Sequence, residues 1–252
     1  MQQKQATRYP AVSSFMLIES FDLWDDDDNA SEMTHYRRVA SLLDVVFKKT
    51  GIRLHDGETG SKSTKLERET NKAIFHTKDT SPTYPRKIDL LLKCNDAKTD
   101  IEMSSNEWKR ASVSKNVQLM QQCKNLRINT VILKNLKKLG VNKTLSMDWT
   151  GNSGYIYQLE WCPDQEVYLA SNCIIVQLPS SPLLLFDLKP TLESFFGLKL
   201  SLLQDAKIIK ASLQVQKQKK NMQGVADSCS LSIRTPASTS LLNFLSSLLR
   251  IS

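Results

Sequence analysis

Three residues in one short stretch have the types and spacing needed to act on a phosphate: Asp89 in RKIDLLLK, then Glu107 and Lys109 in IEMSSNEWKR. Both segments read as strands, because their apolar pattern has a period of two. Residues two apart in a strand project to the same face. Glu107 and Lys109 therefore share a face, with Trp108 opposite, and Asp89 joins them if the strands pair. Two carboxylates offer hard oxygen ligands to Mg²⁺ (or Mn²⁺) and leave waters on the ion. Such an ion lowers the pKa of a water and stabilises charge on phosphate oxygens, as metal-assisted phosphodiester hydrolysis requires. The lysine would orient or help deprotonate the attacking water. Asp89, Glu107 and Lys109 are thus the catalytic candidates, with Asp89 and Glu107 as metal ligands. Glu102 is a rival carboxylate of opposite parity, brought to the same face only by a bulge. It lacks a lysine two residues on, where Ser104 stands. A plain cross-strand ion pair on a solvated sheet would use the same residue types.

The elements around this stretch alternate between helix and strand. Ser31 suits a helix N-cap, with Glu32 in the first turn. Val39, Leu42, Leu43, Val46 and Phe47 then recur at helical spacing, and Gly51 ends the run. Residues 51–64 read as a loop, and a second helix is expected over about 63–75. Two prolines make 77–85 a loop. After the strand at 87–93, CNDAKTD is a hairpin-like turn to the strand at 101–110. A long helix is expected over about 112–139, stopped by Gly140. Short strands follow at 144–149, 155–161, 167–170 and 174–178. A helix then runs with breaks from Pro190 toward Lys220, followed by a flexible polar stretch near 221–238 and an amphipathic helix over 241–249. The expected organisation is a peripheral segment 1–30, an α/β core 31–180 and a helical C-terminal extension 181–252. The fold class is α/β with a mixed central sheet flanked by helices.

The order strand, turn, strand, long helix, with Asp89 followed by Glu107-Trp108-Lys109, resembles the PD-(D/E)XK nuclease superfamily. There an Asp on one strand precedes a (D/E)-x-K on the next and then a helix. The likeness covers about residues 63–160, and the block is also similar to that of uncharacterised fungal proteins. The proline usual before the Asp is absent, since Lys87-Ile88 occupies that place. The resemblance implies a restriction-endonuclease-like core. It also implies a supporting acid from a preceding helix, for which Glu67 and Glu69 are candidates. On the long helix it implies a Gln or basic residue facing the site. Gln121, Gln122, Lys124 and Arg127 are the candidates there, as phosphate contacts or supporting groups. Gln118, Gln122, Asn125 and Asn129 form a polar stripe on that helix, which a solvated face would also produce.

The net charge of +8 favours a polyanionic partner, mainly nucleic acid. The five cysteines are scattered without a CxxC pair and three histidines stand apart, which argues for free thiols in a reducing, intracellular setting and against zinc. Asp25 to Asp28 read as a solvated run rather than a metal site. MQQKQATRYP does not read as a secretory signal. No apolar run approaches the roughly 18 residues of a membrane span. No GxSxG elbow or GxxxxGK[ST] loop occurs. Trp149, Tyr155, Tyr157 and Trp161 suit strand cores, with base stacking as the second reading. The expected function is a metal-dependent nuclease or nuclease-derived domain. The alternative is a catalytically inactive nuclease-like module that binds nucleic acid, or a protein partner through the helix at 241–249.

Overall fold

The computed structural model describes residues 30–75, 78, 80–96 and 99–232. The acidic run at 25–28 and the helix expected at 241–249 lie outside the described residues. The chain forms two units, Met1–Lys210 and Ala211–Ser252.

In the first unit, α1 (Glu32–Phe47) begins at Ser31, whose side chain accepts the Thr34 N–H at 3.1 Å. β1 (Ile52–Gly60) follows and leads into α2 (Lys62–Phe75). β2 (Lys87–Asp96) and β3 (Thr99–Lys109) form the hairpin, and α3 (Lys115–Lys137) crosses to β4 (Lys143–Thr150). β5 (Ser153–Cys162) and β6 (Val167–Gln177) complete the sheet. A 3₁₀ turn (Pro182–Asp187) then opens α4 (Leu188–Ser232). The six strands lie in the order β1-β2-β3-β4-β5-β6. Every neighbouring pair is antiparallel except β3 and β4, which are parallel. A parallel pair needs a long crossover, and α3 supplies it. The architecture is α/β with a mixed, open central sheet flanked by helices.

Sequence and structure part company at four elements. Residues 52–60, expected as loop, form edge strand β1. IRLHDGETG has only Ile52 and Leu54 as an apolar alternation, and its ladder comes from β2, whose Ile88 and Leu90 to Leu92 are fully buried. The strands expected at 167–170 and 174–178 are one strand, β6, with a register shift opposite Ile156 and Gln158. The stretch from 221, expected to be flexible, is helical as far as Ser232. The extension drawn from 181 also begins inside the first unit: Leu188, Leu192, Phe195, Leu198, Leu202 and Ile209 of α4 are buried at helical spacing.

The core is an aromatic layer on the Trp108 side of the sheet. Trp108 and Trp149 are register partners on β3 and β4, stacked 6.4 Å apart at 3°. Tyr36 of α1 meets Trp108 edge-on at 5.0 Å, and Phe195 of α4 meets Trp149 at 6.2 Å. On the other side, α3 packs over β3, β4 and β5. Only three residues pair along the parallel seam, Glu107 to Lys109 with Asp148 to Thr150. Side chains bridge the rest. Asn106 Oδ1 accepts the Met147 N–H at 2.9 Å, and Thr144 Oγ1 donates to the Met103 carbonyl at 2.8 Å. Asn129 of α3 accepts from the Ser105 N–H at 2.8 Å and donates to the Ser105 carbonyl at 2.9 Å. Asn125 donates to the Met147 carbonyl at 3.0 Å. Half of the polar stripe on α3 is therefore buried, serving backbone groups that the splayed seam would otherwise leave without partners.

Glu102 has a structural task. One extra residue on β3, between Glu102 and Ser104, shifts the register against Leu92 and Lys93. The buried Glu102 carboxylate accepts from Ser61 Oγ at 2.9 Å, the Lys62 N–H at 2.6 Å and the Ser63 N–H at 3.0 Å. A carboxylate at a helix N-terminus satisfies free N–H groups and complements the dipole. Glu102→Ala should therefore destabilise the fold by about 1–3 kcal/mol, read by chemical denaturation. An unchanged midpoint would show that α2 needs no such anchor.

Candidate active site

Asp89 and Glu107 come together because β2 and β3 pair antiparallel with Leu90 opposite Asn106 and Leu91 opposite Ser105. One step along, Asp89 faces Glu107, and alternation puts both on the face of Leu91 and Ser105. Asp89 Oδ2 accepts the Trp108 N–H at 2.8 Å, which ties the carboxylate to the next strand. Glu107 is fully buried. Its Oε2 is 2.7 Å from Lys124 Nζ of α3, while its Oε1 is buried without a hydrogen-bond partner. Lys109, at the end of β3, donates to Glu32 Oε2 at 2.9 Å and to the Trp108 carbonyl at 2.7 Å. In parallel register, Asp148 of β4 stands beside Glu107. Its carboxylate accepts from Gln121 Nε2 at 3.3 Å and from the Tyr155 hydroxyl at 3.1 Å.

The strand end is fixed from both sides. The Gly151 N–H donates to the Lys109 carbonyl at 2.7 Å. Gly151 has φ +59°, and a Cβ there would lie 2.7 Å from that of Ala111, so the turn after β4 requires glycine. Buried His35 and Arg38 of α1 hold the next residue: His35 Nδ1 and Arg38 Nη1 each lie 3.1 Å from Asn152 Oδ1. Helix α1 therefore carries Glu32, packs Tyr36 against Trp108 and holds this turn.

Burial dominates the electrostatics. It raises the Glu107 carboxyl to about 7, with the nearby Asp89 charge adding to the rise and Lys124 and Lys109 opposing it. Asp89 is also raised, mainly by burial, against the Trp108 N–H and Lys109. Asp148 is raised to about 6 by burial, opposed by its hydrogen bonds. A carboxyl raised in the fold binds its proton more tightly there than in the unfolded chain. Its contribution to stability is present at low pH and is lost as pH climbs from 4.5 to about 7 for Glu107. Glu107→Gln cannot ionise, so its melting temperature should fall less than that of wild type between about pH 5 and about pH 8. Parallel melting curves would place Glu107 in a solvated setting.

The supporting candidates divide. Lys124 reaches Glu107, and Gln121 reaches Asp148 and the Trp149 carbonyl. Gln122 lines a neighbouring cleft. Glu69 is an exposed partner of Lys65 at 3.8 Å, Glu67 pairs with Lys134, and Arg127 donates to the Cys123 carbonyl of its own helix. The helix acid that reaches Lys109 is Glu32, two elements earlier than Glu67 and Glu69. In sequence Glu32 reads only as a first-turn charge, and no spacing links it to Lys109. Asp148 had one signal, a charge inside the otherwise strand-like TLSMDWT.

Among the described residues, no group of three or more His, Cys, Asp or Glu side chains is arranged to hold a metal ion. Asp89 and Glu107 nevertheless suit an ion that keeps most of its waters, as Mg²⁺ does. Two neighbouring carboxyls that both hold their protons more tightly than usual, one with a buried oxygen lacking a partner, would gain from a cation. Comparison with family models, with curated proteins and with solved structures gives no match.

Proposed function

We propose that the chain is a divalent-metal-dependent nuclease domain of the PD-(D/E)XK type, hydrolysing phosphodiester bonds of nucleic acid. The observation that carries this reading is the pairing of Asp89 with Glu107 across two strands, with Lys109 and Lys124 at their edge and Glu107 Oε1 free. It is supported by the order helix, strand, helix, antiparallel hairpin, crossover helix, and a fourth strand parallel to the third. Asp89 and Glu107 would hold Mg²⁺ or Mn²⁺, which supplies a water of lowered pKa and neutralises charge at the phosphate. Lys109 orients the attacking water and offsets negative charge as it develops. Glu32 positions Lys109 through their ion pair. Lys124 balances Glu107 and, with a third of its side chain exposed, reaches outward to a phosphate oxygen.

We place the protein in a reducing, intracellular compartment, in keeping with the free thiols of Cys123, Cys162 and Cys173. No helix among the described residues is long and apolar enough to cross a membrane. A second reading, an inactive module that binds nucleic acid, is favoured by one observation: both lysines already have carboxylate partners.

The test combines cleavage of single- and double-stranded DNA and RNA with thermal melts, each with and without Mg²⁺ or Mn²⁺. The expected result is metal-dependent cleavage, with a metal-induced rise in melting temperature that Glu107→Gln abolishes. No cleavage and no metal response, alongside salt-sensitive nucleic-acid binding, would replace the proposal with the inactive module.

A further inference from the structure

Beside the carboxylate pair, an open cleft of about 400 Å³ lies between α3 and the outer strands, lined by Gln122, Leu126, Tyr155, Tyr157, Ala170 and Ile175, among others. The register connects it to the candidate active site. Glu107 stands beside Asp148, Asp148 opposite Tyr155, and Tyr155 opposite Ile175. Directly paired residues share a sheet face, so these four side chains form one row across the sheet. At about 4.8 Å per strand, Tyr155 lies roughly 10 Å from Glu107. Asp148 links the two regions, accepting from Tyr155 on one side and from Gln121, three residues before Lys124, on the other.

The lining is aromatic and aliphatic, with one carboxamide and the Cys173 thiol. The Tyr155 and Tyr157 rings lie 5.9 Å apart at 45°, and Ile175 at the rim is 79 % exposed. The partly accessible Tyr155 ring, backed by buried Tyr157, with apolar walls and a side chain that both donates and accepts, matches a nucleobase, which presents a π-face and a hydrogen-bonding edge. A base paired within a duplex has its π-faces stacked and its Watson–Crick edge occupied. Resting on the nuclease reading, which puts a phosphate at Asp89 and Glu107, we infer that this cleft holds an unpaired nucleobase of the same strand. The substrate class is then nucleic acid with at least one single-stranded nucleotide next to the cut. Exposed Arg127 and half-exposed Lys124 on α3 provide positive charge for the connecting backbone.

The test measures binding of the full chain to three labelled probes by fluorescence anisotropy, with Ca²⁺ present and probe integrity checked on a gel. The probes are a single-stranded oligodeoxythymidine, an abasic strand with the same number of phosphates, and a duplex. Wild type should bind the oligodeoxythymidine about tenfold or more tightly than the abasic strand, and more tightly than the duplex. Tyr155→Ala should erase this preference. Tyr155 is partly buried and bonded to Asp148, so Ile175→Glu, at an exposed rim position, is the second variant. It should erase the preference with the thermal melt unchanged. Equal binding of base-bearing and abasic strands by wild type, a preference that survives Ile175→Glu, or binding to no probe would each overturn the inference. Cleavage in Mg²⁺ without base preference sinks this inference and keeps the nuclease. Base preference without cleavage in any metal does the reverse.

Discussion

Lys109→Ala is expected to lower metal-dependent cleavage by about two orders of magnitude or more while leaving the metal-induced rise in melting temperature almost intact. Lys109 is not a metal ligand, but it lies close enough to oppose the raised proton affinity of both Asp89 and Glu107. Its ammonium is held at the end of β3 by Glu32 and the Trp108 carbonyl. It is therefore fixed before any substrate arrives, and a fixed charge assists a transition state without reorganising. Glu107→Ala should differ, losing the metal response together with cleavage, because it removes a ligand oxygen. A purely structural Lys109–Glu32 pair makes another forecast. Lys109 and Glu32 are 26 % and 41 % exposed, so such a pair would contribute at most about 1 kcal/mol and its loss would leave cleavage unchanged. Equal cleavage rates for wild type and Lys109→Ala would move the chemistry elsewhere in the chain.

Trp108→Ala carries the largest expected cost in stability, about 3–5 kcal/mol, a large share of the roughly 5–15 kcal/mol that holds a typical domain folded. Trp108 is fully buried, stacked on Trp149 and capped by the edge of Tyr36. Removing the ring leaves a cavity between α1 and the sheet at the position between Glu107 and Lys109. Trp108→Phe should cost clearly less, since it keeps an aromatic ring and removes an indole N–H that is buried without a partner. Urea denaturation of the three proteins reads both effects. A cost below about 1 kcal/mol for the alanine variant would be incompatible with so buried a large side chain.

Legibility followed how local the determining physics is. The hairpin and its Asp89, Glu107 and Lys109 were readable because a period of two and a short connection are local signals. Lys124 is legible as a candidate phosphate contact from its place on the following helix, whereas its pairing with Glu107 emerges only from the fold. β1 escaped because an edge strand borrows its order from a buried neighbour and shows little pattern of its own. Glu32 escaped because its partner lies 77 residues away, and one chain contains no signal of such a pairing. Asn125 and Asn129 suggested a wet or functional helix face, yet both are buried, because they answer a gap in backbone pairing that only the assembled sheet creates.

That gap has a consequence for how the molecule assembles. The hairpin β2-β3 and the meander β4-β5-β6 each grow from neighbouring strands with short loops to close. The join between them spans α3 and rests on three backbone partners and a set of asparagine, serine and threonine side chains. Contacts between segments distant in sequence are slow to form, so each half can take shape before the two unite. Asp89 and Glu107 belong to the first half, Asp148 and Tyr155 to the second, and Lys124 to the helix that ties them. The row of side chains from acid pair to cleft exists only once the two halves have joined.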